Sequence, residues 1–300
     1  MPQDQFQLGI LSTTFGGDLR EAAGLSRRAG FRGMLVPAFS PTFRVTELST
    51  TGQRDVRHIL SSQDQQLIGL SVDIGKKGFG PGADVDRILA QMDRVMEAAI
   101  GLGSPLVCVE LGLLPAPEFT MPPKRKISPL EAGLIIIPES STEPEVDEST
   151  PPAKPDPAFV AQVDAALLEL GRRADRYNTM LAFRSDLSSF AALSRALRSA
   201  DCPWFGVDLD PVAILHDSWS VDEIFSTLGG EIRHVRARDA ILGADKRTRP
   251  AIIGQGDANW PELLNNLRAA DFHGWMTVDP LEMANRVQAA TASLELLSKY

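Results

Sequence analysis

Three hundred residues, 43% of them hydrophobic, suffice to bury a large core and leave room for one large or two ordinary domains. The formal charge of −9 would repel a polyanion, and the basic run Lys124-Arg125-Lys126 is too short to reverse that, which argues against a nucleic-acid partner. The polar opening MPQDQFQ leads into no long apolar run, so the expectation is a cytoplasmic protein with neither secretory signal nor membrane span.

Short apolar runs then alternate with amphipathic stretches along the chain, the pattern of repeated βα units around a parallel sheet. The first run is Leu8 to Ser12, followed by the helical pattern DLREAAGLSRRAG with Gly30 placed to end it. Gly33 to Phe39 is the second predicted strand, with a helix through TGQRDVRHILSSQ. Leu67 to Val72 is the third, and its helix runs from about Val85 to Leu102. Pro105 to Gly112 is the fourth, and after an interruption PAFVAQVDAALLELGRRADRY supplies its helix. TMLAFRS, WFGVDLD, IRHVRARD and GWMTVDP are the fifth to eighth, and Met283 to Tyr300 closes the chain. Eight strands, each followed by a helix, predict a (β/α)8 TIM barrel over residues 1–300.

The interruption, residues 113–157, is a Pro-rich insertion in the loop after the fourth strand and holds eleven of the chain's 21 prolines. Its second half, PESSTEPEVDESTPPAKPDP, is acidic and almost free of apolar residues, which predicts an extended or disordered segment. The run ISPLEAGLIIIP has enough apolar residues to fold onto something. Strand-to-helix loops lie on the face that carries the active site, so the insertion reads equally as a lid or, more plainly, as a peripheral flap or a contact in a homo-oligomer.

Function in a barrel of this kind sits where strands end. Those positions hold Glu110 on the fourth strand, Arg184 on the fifth, Asp208 and Asp210 on the sixth, Arg236, Arg238 and Asp239 on the seventh, and Asp279 on the eighth. The seventh stretch, IRHVRARD, alternates arginines where a buried strand would alternate apolar residues, so Arg236 and Arg238 share one face, with His234 on the same inward side.

Several segments together carry a family resemblance: ELSTTGQRDVRHILSSQDQQLIGLSV, GVDLDPVAILH, IRHVRARDA and IIGQGDANWPELLNNLRAADFHGWMTVD. In this order, they resemble the xylose isomerase-like barrels of the sugar phosphate isomerase/epimerase superfamily. The resemblance implies a divalent metal held by a Glu ending strand five, an Asp on strand six, a His on strand seven and a Glu on strand eight. A further His follows the strand-six Asp by three residues. Carried over, those positions are Arg184, Asp210, Arg236 and Asp279, with Ala213 in place of the extra His. A guanidinium has only N–H donors and stays charged, so it cannot coordinate a cation. The expectation is a site without the family's metal, in which Arg184 and Arg236 pair with Asp210 and Asp279 and offer any remaining donors to an anion.

Other readings are plainer. Arg238 and Asp239 form salt bridges at the barrel rim or contribute to the site, and Glu110 is a site carboxylate or a structural acceptor. His58 lies on a helix surface, His216 and His273 lie in loops, and His234 is hydrogen-bonded deep in the barrel. Cys108 and Cys202 are too few for a metal set and are spaced unlike a redox pair, so both read as packed thiols. GQGD at 254–257 is read as a cap, by Asp257 or Asn259, of the helix at Trp260-Pro261 and not as a phosphate loop.

The functions that follow are a metal-free isomerase or epimerase with Asp210 and Asp279 as acid and base, or a barrel that binds or only supports. In the first, Arg184, Arg236, Arg238, Glu110 and Asp208 hold a small anionic sugar-like substrate. A repair endonuclease of the same superfamily would need more histidine ligands than the chain's four.

Overall fold

The computed structural model describes residues 6–40, 43–104, 106–117 and 155–300. The sequence-based calls on 118–154, lid, flap or disordered acidic stretch, lie outside the described residues. The chain opens with β1 (Gln7–Leu11), α1 (Leu19–Ala29), β2 (Gly33–Pro37), α2 (Thr50–Ser62) and β3 (Gln66–Asp73). It continues with α3 (Val85–Leu102), β4 (Leu106–Glu110), α4 (Pro157–Tyr177), β5 (Met180–Arg184), α5 (Phe190–Ala200) and β6 (Phe205–Leu209). Two shorter helices follow, α6 (Pro211–Ile214) and α7 (Val221–Leu228), then β7 (Ile232–Ala237). A hairpin of β8 (Asp239–Leu242) and β9 (Thr248–Ala251) precedes α8 (Trp260–Ala269), β10 (Trp275–Val278) and α9 (Arg286–Leu297).

Eight parallel strands close a barrel in the order β1-β10-β7-β6-β5-β4-β3-β2, as the alternation of short apolar runs and amphipathic stretches predicts. The helices start where side chains can satisfy their first N–H groups. Asp18, Ser49, Asp84, Asp156, Ser189 and Asn259 each accept from a first-turn amide, and Ser220 forms a full capping box with Glu223. Gly30 ends α1 in the left-handed region, at φ 97°, where a Cβ would be strained. The membrane expectation meets one related observation: no helix among the described residues is long and apolar enough to cross a bilayer.

The core has two parts. Between sheet and helices lie residues such as Ile10, Met34, Val107, Leu170 and Trp260, all buried. Inside the barrel, a smaller apolar group joins Leu11, Leu35, Ile68, Cys108 and Ala182. It occupies only one side of the interior. The other side is polar, because β6, β7 and β10 send Asp208, His234 and Thr277 inward, each no more than 1% exposed. Buried polar groups persist only where they are bonded to one another, and that requirement organises the site above them.

The hairpin was not anticipated, since AILGADKRTRPA has no clean apolar alternation. It grows directly from β7, with Asp239 pairing Ala251. Asp239 is buried at 3% and forms no ion pair among the described residues, which corrects its reading as a rim salt bridge. Its carboxylate instead accepts from the backbone N–H groups of Ala240, Gly254, Gly256 and Ala258 and from Trp260 Nε1. The glycines of GQGD therefore spend their amides on Asp239. Asn259 takes the capping role, while Asp257 accepts from Leu242 N–H.

Candidate functional site at the strand ends

Five neighbouring strands deliver seven charged groups to one end of the barrel: Glu110 from β4, Arg184 from β5, Asp208 and Asp210 from β6 and just beyond, Arg236 and Arg238 from β7 and just beyond. Asp279 follows β10 and completes the set. Glu110 and Arg184 are register partners on adjacent strands, so their side chains emerge at the same height. Arg184 Nη1 donates to Glu110 Oε2 at 3.0 Å, and its Nε lies 3.8 Å from Asp208 Oδ2. Arg236 grips Asp279 through Nε at 2.6 Å and through Nη2. Arg238 grips Asp210 through Nε at 2.6 Å and Nη2 at 2.5 Å, and extends towards Asp186 at 3.4 Å and Glu282 at 3.6 Å.

The expected pairing is thus half realised. Arg236 takes Asp279, but Asp210 belongs to Arg238 and not to Arg184. Register sets Arg184 beside Glu110 on β4 and level with Asp208 on β6, two residues below Asp210; Asp210 stands opposite Arg236, and Arg238, one residue past β7, reaches across to it. Arg238 forms salt bridges as the plainer reading held, although they engage a carboxylate that is only 1% exposed.

Both carboxylates proposed as acid and base are fully engaged. Asp210 accepts from Val212 N–H through Oδ1, where it caps α6, and from Arg238 through Oδ2. Asp279 accepts from Leu281 N–H through Oδ1 and from Arg236 through Oδ2. Glu110 differs: burial pushes its pKa up to about 7, and Arg184 only partly offsets this. Its Oε1 accepts from Gly112 and Asp186 N–H groups. Burial disfavours the charge on Arg236 and Arg238, but the neighbouring Asp279 and Asp210 more than reverse this, raising both pKa values.

Beneath this layer His234 Nδ1 lies 2.6 Å from Asp208 Oδ1, and His234 Nε2 lies 2.7 Å from Thr277 Oγ1. Burial would raise the Asp208 pKa, but the charge and hydrogen bond of His234 and the nearby Arg184 and Arg236 carry it below the usual carboxylate value. His234 is therefore the deep, bonded histidine that strand parity implies. His58, His216 and His273 are exposed. Thr277 and Asp186 escaped the sequence reading. Only register with β7, which sets Thr277 beside Arg236, identifies the first.

Some capacity remains unspent. Arg184 makes a single hydrogen bond among the described residues, and its Nε is buried with no partner there. Asp208 Oδ2 is likewise buried and unpartnered. Both line a small cavity, with Asp210, Phe190 and Ala213, that has room for one water-sized group. Beside it opens a cleft of about 710 Å³ lined by Ser185, Ser188, Ser189, His216, Thr248 and Arg238 among others. That volume suits a small molecule.

A closed ring of eight parallel strands surrounded by helices defines a (β/α)8 barrel protein. The chain belongs to the xylose isomerase-like TIM barrel family, whose model matches residues 24–300. A search of curated proteins gives no match. Among solved structures it is similar to a xylose isomerase domain protein from Planctomyces limnophilus, with TM-score 0.72 and 15% identity over 98% of this chain and 97% of that one. It is also similar to a D-psicose 3-epimerase from Clostridium cellulolyticum H10, with TM-score 0.69 and 12% identity over 97% and 98%. The probable 3-DHS dehydratase AsbF of Bacillus anthracis aligns at TM-score 0.69 and 11% identity over 97% and 98%. At these identities the likeness establishes the shared fold.

The positions that the resemblance assigns to a divalent ion do not fit one here. Arg184 and Arg236 bring donors where lone pairs are required, and Asp210 and Asp279 already give theirs to arginines.

Proposed function

We propose that this xylose isomerase-like barrel binds a small anionic sugar-like molecule at its strand ends without a divalent ion at those positions. The observation that carries the reading is Arg184, part-buried beside the cleft, with one hydrogen bond formed and its Nε buried without a hydrogen-bond partner among the described residues. A carboxylate or phosphate matches such a fork in two places, and the serine- and threonine-rich cleft wall suits hydroxyl groups. The chemistry within reach is proton transfer between carboxyl groups and a carbon next to a carbonyl, as in isomerases and epimerases. Asp210 and Asp279 are the acid and base of this reading, and Glu110, poised near neutrality, can serve as a proton carrier to Arg184-bound substrate.

A second reading, a barrel that binds without turnover, is favoured by one fact: Asp210 and Asp279 are each clamped between an arginine and a backbone amide. One experiment separates the two. Sugar phosphates and sugar acids are incubated with the protein in deuterated buffer containing chelator, and binding and C–H exchange are followed by NMR. Exchange that is lost in Asp210→Asn or Asp279→Asn supports the enzyme. Saturable binding without exchange supports the second reading. Binding unaffected by Arg184→Gln removes the proposed site.

A further inference from the structure

We infer that Cys108, Asp208 and His234 form a site for one divalent cation of the zinc class, one side-chain layer beneath the strand ends. The barrel brings together three residues that are far apart in sequence. Cys108 comes from β4, Asp208 from β6 and His234 from β7, and one ligand atom of each lies within 4.8 Å of the others. All three are buried, at 2%, 1% and 0% exposure. Thiolate, carboxylate and imidazole are the ligand types that a four-coordinate zinc ion takes. None of the four positions that the resemblance assigns to a metal, Arg184, Asp210, Arg236 and Asp279, belongs to this set.

Two further observations point to a ligand. Asp208 Oδ2 is buried with no hydrogen-bond partner among the described residues, so a carboxylate oxygen has lone pairs unspent inside the barrel. His234 is oriented through Nε2 by Thr277 Oγ1, leaving Nδ1 turned towards Asp208. Metal-bound imidazoles are held in this way by a partner on the second ring nitrogen. The small cavity beside Asp208 leaves room for a water as fourth ligand.

Charge accounting favours a cation at this depth. Arg184, Arg236 and Arg238 each have a carboxylate of their own in Glu110, Asp279 and Asp210. Asp208 has no guanidinium of its own: its contacts are His234 Nδ1 at 2.6 Å, which the ion would replace, and Arg184 Nε at 3.8 Å. A proton on His234 would balance it and leave the Cys108 thiol idle. A divalent ion, displacing the thiol proton to solvent, balances Asp208 and the Cys108 thiolate together. Arg236 and Arg238 do not oppose it as free charges, because Asp279 and Asp210 neutralise them.

The test uses the full-length protein, stripped with chelator and titrated with Co²⁺. The expected result is one equivalent bound, with a thiolate-to-cobalt charge-transfer band in the near ultraviolet that Zn²⁺ abolishes by displacement. Cys108→Ser should remove the band and weaken binding at least tenfold, while Cys202→Ser leaves both unchanged. The band in the unmodified protein is a readout even where Cys108→Ser fails to fold. Absence of saturable binding overturns the inference. So does binding without the band that survives Cys108→Ser. If that surviving binding is lost in Asp210→Asn or Asp279→Asn, the ion sits at the strand ends and the metal-free reading fails as well.

Discussion

Glu110 shows how one residue can carry two opposed influences. Two backbone N–H donors and a guanidinium favour its charge, yet burial wins and raises its pKa to about 7 from an ordinary value of 4.5. A folded-state pKa raised above the unfolded one means stability fully present below about pH 4.5 and lost as pH rises through about 7. Urea unfolding should therefore show the wild type losing roughly 3 kcal/mol between those limits relative to Glu110→Gln, whose profile is flatter there. Equal slopes for the two proteins would refute the buried, proton-holding Glu110. Asp208 acts in the opposite sense. Its lowered pKa gives stability present above the ordinary aspartate value and lost as pH falls through the folded value.

At the scale of elements, Asp239 holds the most. One buried carboxylate joins the start of the hairpin to the loop 254–260 and to the indole of α8 through five donors. Asp239→Ala should leave those amides unpaired, cost about 3 kcal/mol and raise hydrogen exchange locally at residues 240–260 before elsewhere. Uniform exchange across the barrel would mean the clamp is not local. The strands have a different weak point at Gly33, where an added Cβ would lie 2.7 Å from the Trp275 ring and 2.8 Å from Ile68. Gly33→Ala should destabilise by about 1–3 kcal/mol in denaturant titration, because the barrel floor cannot yield on both sides.

Across the whole molecule, arginine–carboxylate pairs gather at the barrel mouth. Removing one partner leaves a buried charge alone. Arg238→Met should cost about 3–5 kcal/mol, since Asp210 is almost fully buried, and adding Asp210→Asn should restore more than half of that loss while keeping the α6 cap. A double variant no more stable than Arg238→Met would place the cost in packing instead of charge. The same molecule-wide division, apolar on the side of Leu11, Leu35 and Ile68 and polar on the side of Asp208, His234 and Thr277, leaves Cys108 at the boundary between the two.

The sequence by itself determined the barrel, because alternating short apolar runs and amphipathic stretches admit few other closed parallel solutions, and strand parity alone turns His234 and Arg236 inward. It also determined which charged residues reach the strand ends. It did not determine their partners. Arg184 meets Glu110 because the β4–β5 register sets them side by side, and Arg238 reaches Asp210 from one residue past β7; register and reach are properties of the closed sheet and not of any one segment. For the same reason Cys108 reads as a lone packed thiol in the chain and stands beside a histidine and an aspartate only once β4, β6 and β7 share one interior.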